Sequence, residues 1–248
     1  MTALKLVSVN VERSKHLDRV LPFIERETPD VLCVQELQNT DVERFAQAAT
    51  SKGHIFVPMT REREGAAFSI HGLGMFSRHE LTNINERYYT DKAATIPESD
   101  SSDPDTYTSQ FRLALLADVT TGGTRHRIAT THFTWSPRGQ ATDLQKKDMR
   151  ALLALLQEED LVLCGDFNAP RGGEIFAMLT QRFKDNIPPQ YVTSLDLDLH
   201  RAGKTRPHEL KDKMVDGLFS TPGYEIRDAR LEFGVSDHAA IVATIMKK

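Results

Sequence analysis

Runs of consecutive apolar residues alternate along the chain with stretches whose apolar positions fall three or four apart, and the two spacings predict different elements. Strand-like segments at residues 4–9, 31–35, 55–58, 72–77, 113–119, 127–132, 161–164, 214–219 and 239–245 predict β-strands, several of them continuously apolar and hence covered on both faces. Helical spacing appears at Leu17, Val20, Leu21 and Ile24, at Val42, Phe45, Ala46 and Ala49, at Leu144, Leu152, Leu155 and Leu156, and at Ile175, Phe176, Leu179 and Phe183. Thr142 is placed to cap the third helix, with Gln145 three residues on reaching back to complete a capping box. Gly122-Gly123 between two strand runs predicts a hairpin turn. Strands and helices alternate early, whereas strands follow strands in the middle and at the end. The pattern predicts a mixed α/β protein with sheets packed on sheets and helices outside. Without a repeat of 20–50 residues or a Gly/Ser- or Pro-rich linker, a single domain over residues 1–248 is expected.

Composition narrows the class. The 248 residues are 40% hydrophobic and 27% charged with a formal net charge of -4, a profile that excludes disorder, collagen and coiled coil. Cys33 and Cys164 each lie in a short apolar run, where cysteine packs as a small hydrophobe, so free thiols in a reduced, cytoplasmic protein are expected. The opening Met1-Thr2-Ala3-Leu4-Lys5 has no basic region followed by an apolar stretch, and no apolar run reaches the length of a membrane span. A monomer without a protein partner is the matching expectation. Two loops differ in charge: residues 97–106 are acidic and read as solvated, whereas residues 200–213 are basic around two histidines. The basic loop reads either as a grip on a phosphorylated substrate or as ordinary surface.

The informative feature is the polar residue at the end of an apolar strand, where a rigid scaffold delivers side chains to a cleft. Five such places stand out: Ser8-Val9-Asn10, Cys33-Val34-Gln35-Glu36, Thr130-Thr131-His132-Phe133, Gly165-Asp166-Phe167-Asn168 and Ser236-Asp237-His238. Hard oxygen donors, without cysteine or two histidines at helical spacing, favour Mg²⁺ or Mn²⁺ over zinc, with Glu36 and Asp237 as ligands. Asp166 and Asn168 would face the same way if the strand continued through them, and would then hold one water between them. Hydrolysis of a phosphate ester also needs stabilisation of the negative charge on the non-bridging and leaving oxygens, a role His132 and His238 fit as imidazolium ions. Singly, each residue has a structural explanation as turn former, helix cap or buried histidine. Together they would require separate coincidences at five strand ends.

In this order the motifs resemble the endonuclease/exonuclease/phosphatase (DNase I-like) superfamily, from Asn10 to His238. The most specific piece is Gly165-Asp166-Phe167-Asn168 followed by Ala169-Pro170, since a fixed four-residue string arises by chance in roughly one or two per thousand chains of this length. The resemblance implies an α/β four-layered sandwich, two mixed β-sheets face to face with helices outside, and one cleft where all the motifs meet. It further implies that Asn10 supports the metal site or the scissile phosphate beside Glu36, the principal ligand, and Asp237. Asp166 with Asn168 would orient and deprotonate the attacking water, and His238 would contact the phosphate. Val215-Asp216-Gly217-Leu218-Phe219 resembles the strand whose aspartate holds that histidine, and Gly72-Leu73-Gly74-Met75-Phe76-Ser77-Arg78 resembles the family's central strand.

The chain departs from the family around Tyr107-Thr108-Ser109-Gln110-Phe111-Arg112, where nuclease members usually place a tyrosine, or a glutamate partnering the first histidine. Arg112 is a candidate to bind a phosphate oxygen, the alternative being a pair with a neighbouring carboxylate. Trp135 is a candidate to stack on a substrate ring, the alternative being a roof over the core. Asp196, Asp198 and His200 form a weaker cluster on the substrate side. The expected activity is divalent-metal-dependent hydrolysis of phosphodiester bonds by in-line attack of an activated water, with nucleic acid the leading substrate. A small-molecule or phospholipid head-group phosphodiester is the alternative among enzymes. A non-catalytic metal- or phosphate-binding module would be expected to have lost one of Glu36, Asp166, Asn168, Asp237 and His238, and all are present.

Overall fold

A computed structural model describes residues 3–64, 67–100 and 102–248; Met1 and Thr2 of the N-terminal reading and Ser101 of the acidic loop lie outside them. In chain order the elements are β1 (Ala3–Asn10), α1 (Leu17–Glu27), β2 (Val31–Gln38), α2 (Val42–Ala48), β3 (Gly53–Glu64), β4 (Ala67–Ser77), β5 (Leu81–Tyr88), β6 (Glu98–Ser99), β7 (Leu113–Thr121) and β8 (Thr124–His132). They continue with α3 (Asp143–Leu156), β9 (Val162–Asp166), α4 (Glu174–Thr180), β10 (Lys184–Asp185), α5 (Pro207–Leu210), β11 (Asp216–Ser220), β12 (Tyr224–Glu232) and β13 (Ala240–Lys247). The strands form one sheet of seven, in the order β12-β13-β1-β2-β4-β3-β6, and one of six, β10-β11-β9-β8-β7-β5. Both are mixed: β1 runs parallel to β2 and β8 to β9, while most other neighbours are antiparallel.

Alternation along the strands explains the layers. In β1, Leu4 and Leu6 point between the sheets, where they meet Leu115, Ile128, Val162 and Leu218 of the other sheet. Val7 and Val9 point the opposite way, onto Val20, Phe23 and Ile24 of α1 and Phe45 of α2. On the far side, Ala129 and Leu163 pack against Met149 and Leu152 of α3 and Ile175 and Leu179 of α4. The result is an α/β sandwich, two sheets face to face with helices on both outer faces.

Each predicted strand and helix forms, and the structure adds elements that the apolar pattern does not reveal. β5 and β12 are edge strands with mostly half-buried or exposed positions, so they carry no apolar run. The acidic loop is more ordered than its composition suggests. β6 pairs with β3 in parallel, Ser99 is buried, and its hydroxyl accepts from Thr60 Oγ1 at 2.9 Å. Thr142 caps α3, accepting from the Gln145 N–H, but the reciprocal half of the predicted box is absent. The Gln145 amide instead donates to the Thr134 carbonyl at 2.7 Å, drawn to a buried acceptor at the site's edge. Gly122 and Gly123 take φ of 53° and 79° in the predicted β7–β8 hairpin. Among the described residues no helix is long and apolar enough to cross a membrane.

Candidate active site

The inward-facing register turns polar at one end of the sandwich. Ser8, Gln35 and Thr130 end the apolar layer, and the Gln35 amide bridges the sheets by donating to Ser8 Oγ (3.3 Å) and Thr130 Oγ1 (3.0 Å). One step further lie Asn10 at the end of β1, His132 at the end of β8 and Asp166 at the end of β9, the last two directly paired. Because β11 runs antiparallel to β9, its first residue, Asp216, sits opposite Asp166. Glu36 arrives differently. Strict alternation would turn it away from Gln35, but β2 is bulged between Val34 and Leu37, with Glu36 at φ 55°. That bulge re-aims the side chain into the cleft.

Asn168 requires a correction. The strand does not continue through it: β9 stops at Asp166, whose Oδ1 accepts the Asn168 N–H at 2.8 Å, and Asn168 is left-handed at φ 49°. Both residues line the same cleft because of this turn, not because of the pleat. The Asn168 amide is anchored to the Phe133 carbonyl at 3.0 Å.

Hydrogen bonds and charge define the centre. Asn10 Oδ1 accepts the Glu12 N–H at 3.0 Å, which turns its amide nitrogen toward Glu36 Oε1 (3.2 Å) and Asp166 Oδ2 (3.1 Å). In this orientation Asn10 offers a donor to two carboxylates rather than an oxygen to a cation. Burial works against the Glu36 carboxylate, but His132, His71, Arg13 and Asn10 hold it at about 2. Burial pushes Asp166 and Asp237 up to about 7, with Asp216 and Glu36 repelling the first and Glu12 and Glu36 the second.

The two histidines differ. His238 Nδ1 donates to Asp216 Oδ2 at 2.7 Å and its Nε2 lies 4.0 Å from Asp166 Oδ2. Burial opposes charge there, yet Asp216, Asp166 and Asp237 raise the group well above its ordinary value, which favours the imidazolium form. His132 departs from expectation: burial and the Arg112 guanidinium push it down to about 3, so it is neutral. Its Nε2 lies 3.5 Å from Asp166 Oδ2 and 3.8 Å from Glu36 Oε1, a place for the ring's N–H.

Around this centre is a cavity of about 630 Å³. Arg112 lines it but pairs with no carboxylate among the described residues; it donates to the His132 carbonyl (3.0 Å) and the Tyr107 carbonyl (3.2 Å). Trp135 is half-buried on the cavity wall, edge-on to Tyr107 with ring centroids 5.4 Å apart. Asp196 belongs to the scaffold, accepting the N–H groups of Asp198, Leu199 and Gly234. His200 of the same cluster lines the cavity, as do several residues of the basic loop.

Sequence reasoning missed Glu12, Arg13, Glu62 and His71, which also line the cavity. Glu12, Arg13 and Ser14 take φ of 43°, 57° and 59°, three successive left-handed residues without a glycine to announce them. Arg13 donates to Glu62 Oε2 at 2.7 Å, and Ser14 Oγ accepts the Gln38 N–H at 3.2 Å.

Among the described residues one group has the chemistry of a cation site. Asp166, Asp216 and His238 bring ligand atoms within 4.8 Å of one another, but the Asp216–His238 hydrogen bond already occupies that histidine. Glu36 and Asp237, the expected ligands, line the same cavity but do not belong to that group. Burial is the main cause of the upward push on Asp166 and Asp237, and a hard divalent ion beside them would offset it.

Comparison with known proteins agrees with the fold. No curated protein matches the chain. Similar solved structures include an endonuclease/exonuclease/phosphatase from Beutenbergia cavernae, 17% identical with a TM-score of 0.73, covering 100% of this chain and 72% of that one. The mannosyl-6-phosphatase of Bacteroides thetaiotaomicron is 11% identical at a TM-score of 0.66, covering 98% of this chain and 99% of its own. A humanized D. rerio TDP2 is 17% identical at 0.63, covering 99% of each chain. At these identities the likeness is one of fold. The model of the Endonuclease/Exonuclease/phosphatase family matches residues 7–238, spanning every strand-end motif of the cleft, and the chain belongs to that family.

Proposed function

We propose that the protein is a divalent-metal-dependent phosphodiesterase of nuclease-like type. The observation that carries this reading is the meeting of Glu36, Asp166 and Asp237 in one cleft with His238, whose ring is fixed by Asp216. Glu36 and Asp237 would hold the Mg²⁺ or Mn²⁺ ion, which when bound supplies positive charge to the phosphate oxygens. Asp166, aimed into the cleft at the end of β9 between His132 and His238, accepts the proton of the attacking water. Asn168, anchored by its amide nitrogen, orients that water through its amide oxygen. His238 contacts a phosphate oxygen with Nε2, and Asp216 keeps its ring charged and aimed. Asn10 holds Glu36 and Asp166 apart at hydrogen-bond distance from one amide, while neutral His132 donates toward the same pair. Arg112 fixes the backbone at His132 and Tyr107, so its part is positioning. Trp135 with Tyr107 offers an aromatic wall for a base or ring next to the scissile phosphate.

A second reading, a small-molecule phosphoester, is favoured by one observation. The cavity of about 630 Å³ has the size of a site for one compact ligand.

The test is release of nitrophenol from bis-nitrophenyl phosphate by chelator-stripped protein, beside plasmid DNA and single-stranded RNA, with Asp166→Ala as control. Activity that returns with Mg²⁺ or Mn²⁺ and is absent in the variant is the expected result. Metal-independent turnover, or equal turnover by the variant, would overturn the assignment, and the panel separates nucleic acid from compact substrates.

A further inference from the structure

Outward of His238 the cavity is closed by residues 194–213, which are fastened directly to the reacting groups. The Asp196 N–H donates to the Asp237 carbonyl (2.8 Å), the Ala239 N–H donates to the Ser194 carbonyl (2.7 Å), and Leu195 forms a bridge with His238. Ser194 Oγ accepts the N–H groups of Val215 (3.1 Å) and Asp216 (3.0 Å). Beneath the segment, Leu195, Ala202, Leu210 and Val215 form their own apolar cluster. This is a built wall whose register to the centre is set by the backbone, and its basic residues are therefore held at a fixed offset from the phosphate-contacting histidine.

The facing lip is equally constrained. Arg138 is left-handed at φ 57° within the turn Pro137–Gly139, and a Cβ on Gly139 would meet the Pro170 ring at 2.7 Å. Lys213 Nζ donates to the Arg138 carbonyl at 2.7 Å, tying the two lips together. Arg206 is neutralised by Glu209 at 3.3 Å, whereas Arg138 and Arg201, both exposed at the cavity mouth, have no carboxylate partner among the described residues. Asp212 and Glu209 also reach the mouth, against Arg138, Arg201, Arg206 and Lys213, so the lip is cationic on a chain of net charge -4. Left-handed backbone in a non-glycine residue is retained where surrounding structure imposes it, and here it presents an unpaired guanidinium beside the site.

We propose that Arg138 and Arg201 form a subsite for a second anionic group of the substrate, a phosphate lying outward of the scissile phosphodiester. The assignment rests on the phosphodiesterase reading above and adds a specificity determinant to it. Its test has a binding arm and a turnover arm. In calorimetry on the Mg²⁺-loaded protein, thymidine 3′,5′-bisphosphate should bind about tenfold more tightly than thymidine 5′-monophosphate, with the difference shrinking as salt rises. In Arg138→Gln/Arg201→Gln the ratio should fall toward one, while Arg19→Gln/Arg26→Gln, the same charge change on the exposed face of α1, keeps it. The nitrophenyl ester of thymidine 5′-phosphate should likewise be a poorer substrate by kcat/KM than the same ester carrying a 3′-phosphate. A wild-type binding ratio near one, or a ratio unchanged in the double variant, overturns the subsite. A binding ratio that behaves as stated without hydrolysis of either ester leaves the subsite standing and overturns the hydrolytic reading instead.

Discussion

Asp216 directs its carboxylate at the His238 ring, 2.7 Å away, and its own N–H is held by Ser194 Oγ. In the proposed mechanism it acts on the substrate only through His238. Asp216→Asn keeps the shape and an acceptor oxygen but removes the charge that favours imidazolium, so kcat should fall by about 10²–10⁴ with little change in KM. Steady-state kinetics beside an unchanged circular-dichroism spectrum would check it; a rise in KM alone would mean that the pair serves binding only. Such a residue is legible only by resemblance, because an aspartate opening a strand has no pattern of its own. Glu36, Asp166, Asp237 and His238 were legible from chemistry, each a costly group at the end of an apolar run. Arg13 and His71 were not: Arg13 reaches the cleft through three left-handed residues, and His71 through a hairpin longer than its apolar stretch.

Elements decide whether those side chains meet. β8 and β9 approach so closely at Gly165, φ 139°, that a Cβ there would lie 2.0 Å from the Thr131 carbonyl oxygen. Gly165→Ala should force the two strands apart beside the His132–Asp166 pair, at a cost of about 3 kcal/mol or more from overpacking and backbone strain together. Urea unfolding should show a lowered midpoint, with activity lost even where the variant is folded; a midpoint within error of wild type would remove the close approach as a constraint. On the far face, Glu27 ends α1 and pairs with Lys5 of β1 (2.7 Å) and Arg230 of β12 (2.8 Å). Partial burial pushes its carboxyl up, but the two cations outweigh this and hold it below its ordinary 4.5. A depressed folded-state value means stability present above about pH 4.5 and lost as pH falls through the folded value. In Glu27→Gln the unfolding midpoint should be lower at neutral pH and its acid-side decline shallower; parallel declines would assign the acid sensitivity elsewhere. The interior strands and the four amphipathic helices were readable from periodicity because they bury apolar faces. β5 and β12 were not, because an edge strand needs only backbone partners and one covered face.

At the scale of the molecule, the sandwich holds the cleft by closing an apolar core directly beneath a cluster of carboxylates, and this arrangement is unfavourable without a cation. Asp166 and Asp237, pushed up to about 7 by burial and by their acidic neighbours, are the measure of that cost. Any ion that binds the folded cleft and not the unfolded chain must therefore stabilise the whole fold, by about 2.7 kcal/mol at a concentration 100 times its Kd. For a chain of this size each kcal/mol corresponds to about 2–4 °C, so saturating Mg²⁺ should raise Tm by roughly 5–10 °C over chelator-stripped protein. Glu36→Gln separates the two contributions. It removes a ligand together with a carboxylate that its cationic and amide neighbours hold ionised at about 2, so the metal-induced rise should vanish and the chelator-stripped Tm should fall below wild type. A variant that still gains from Mg²⁺ would place the ion away from Glu36, toward the Asp166, Asp216 and His238 group. Differential scanning fluorimetry with and without metal therefore distinguishes the two donor sets without any assay of turnover.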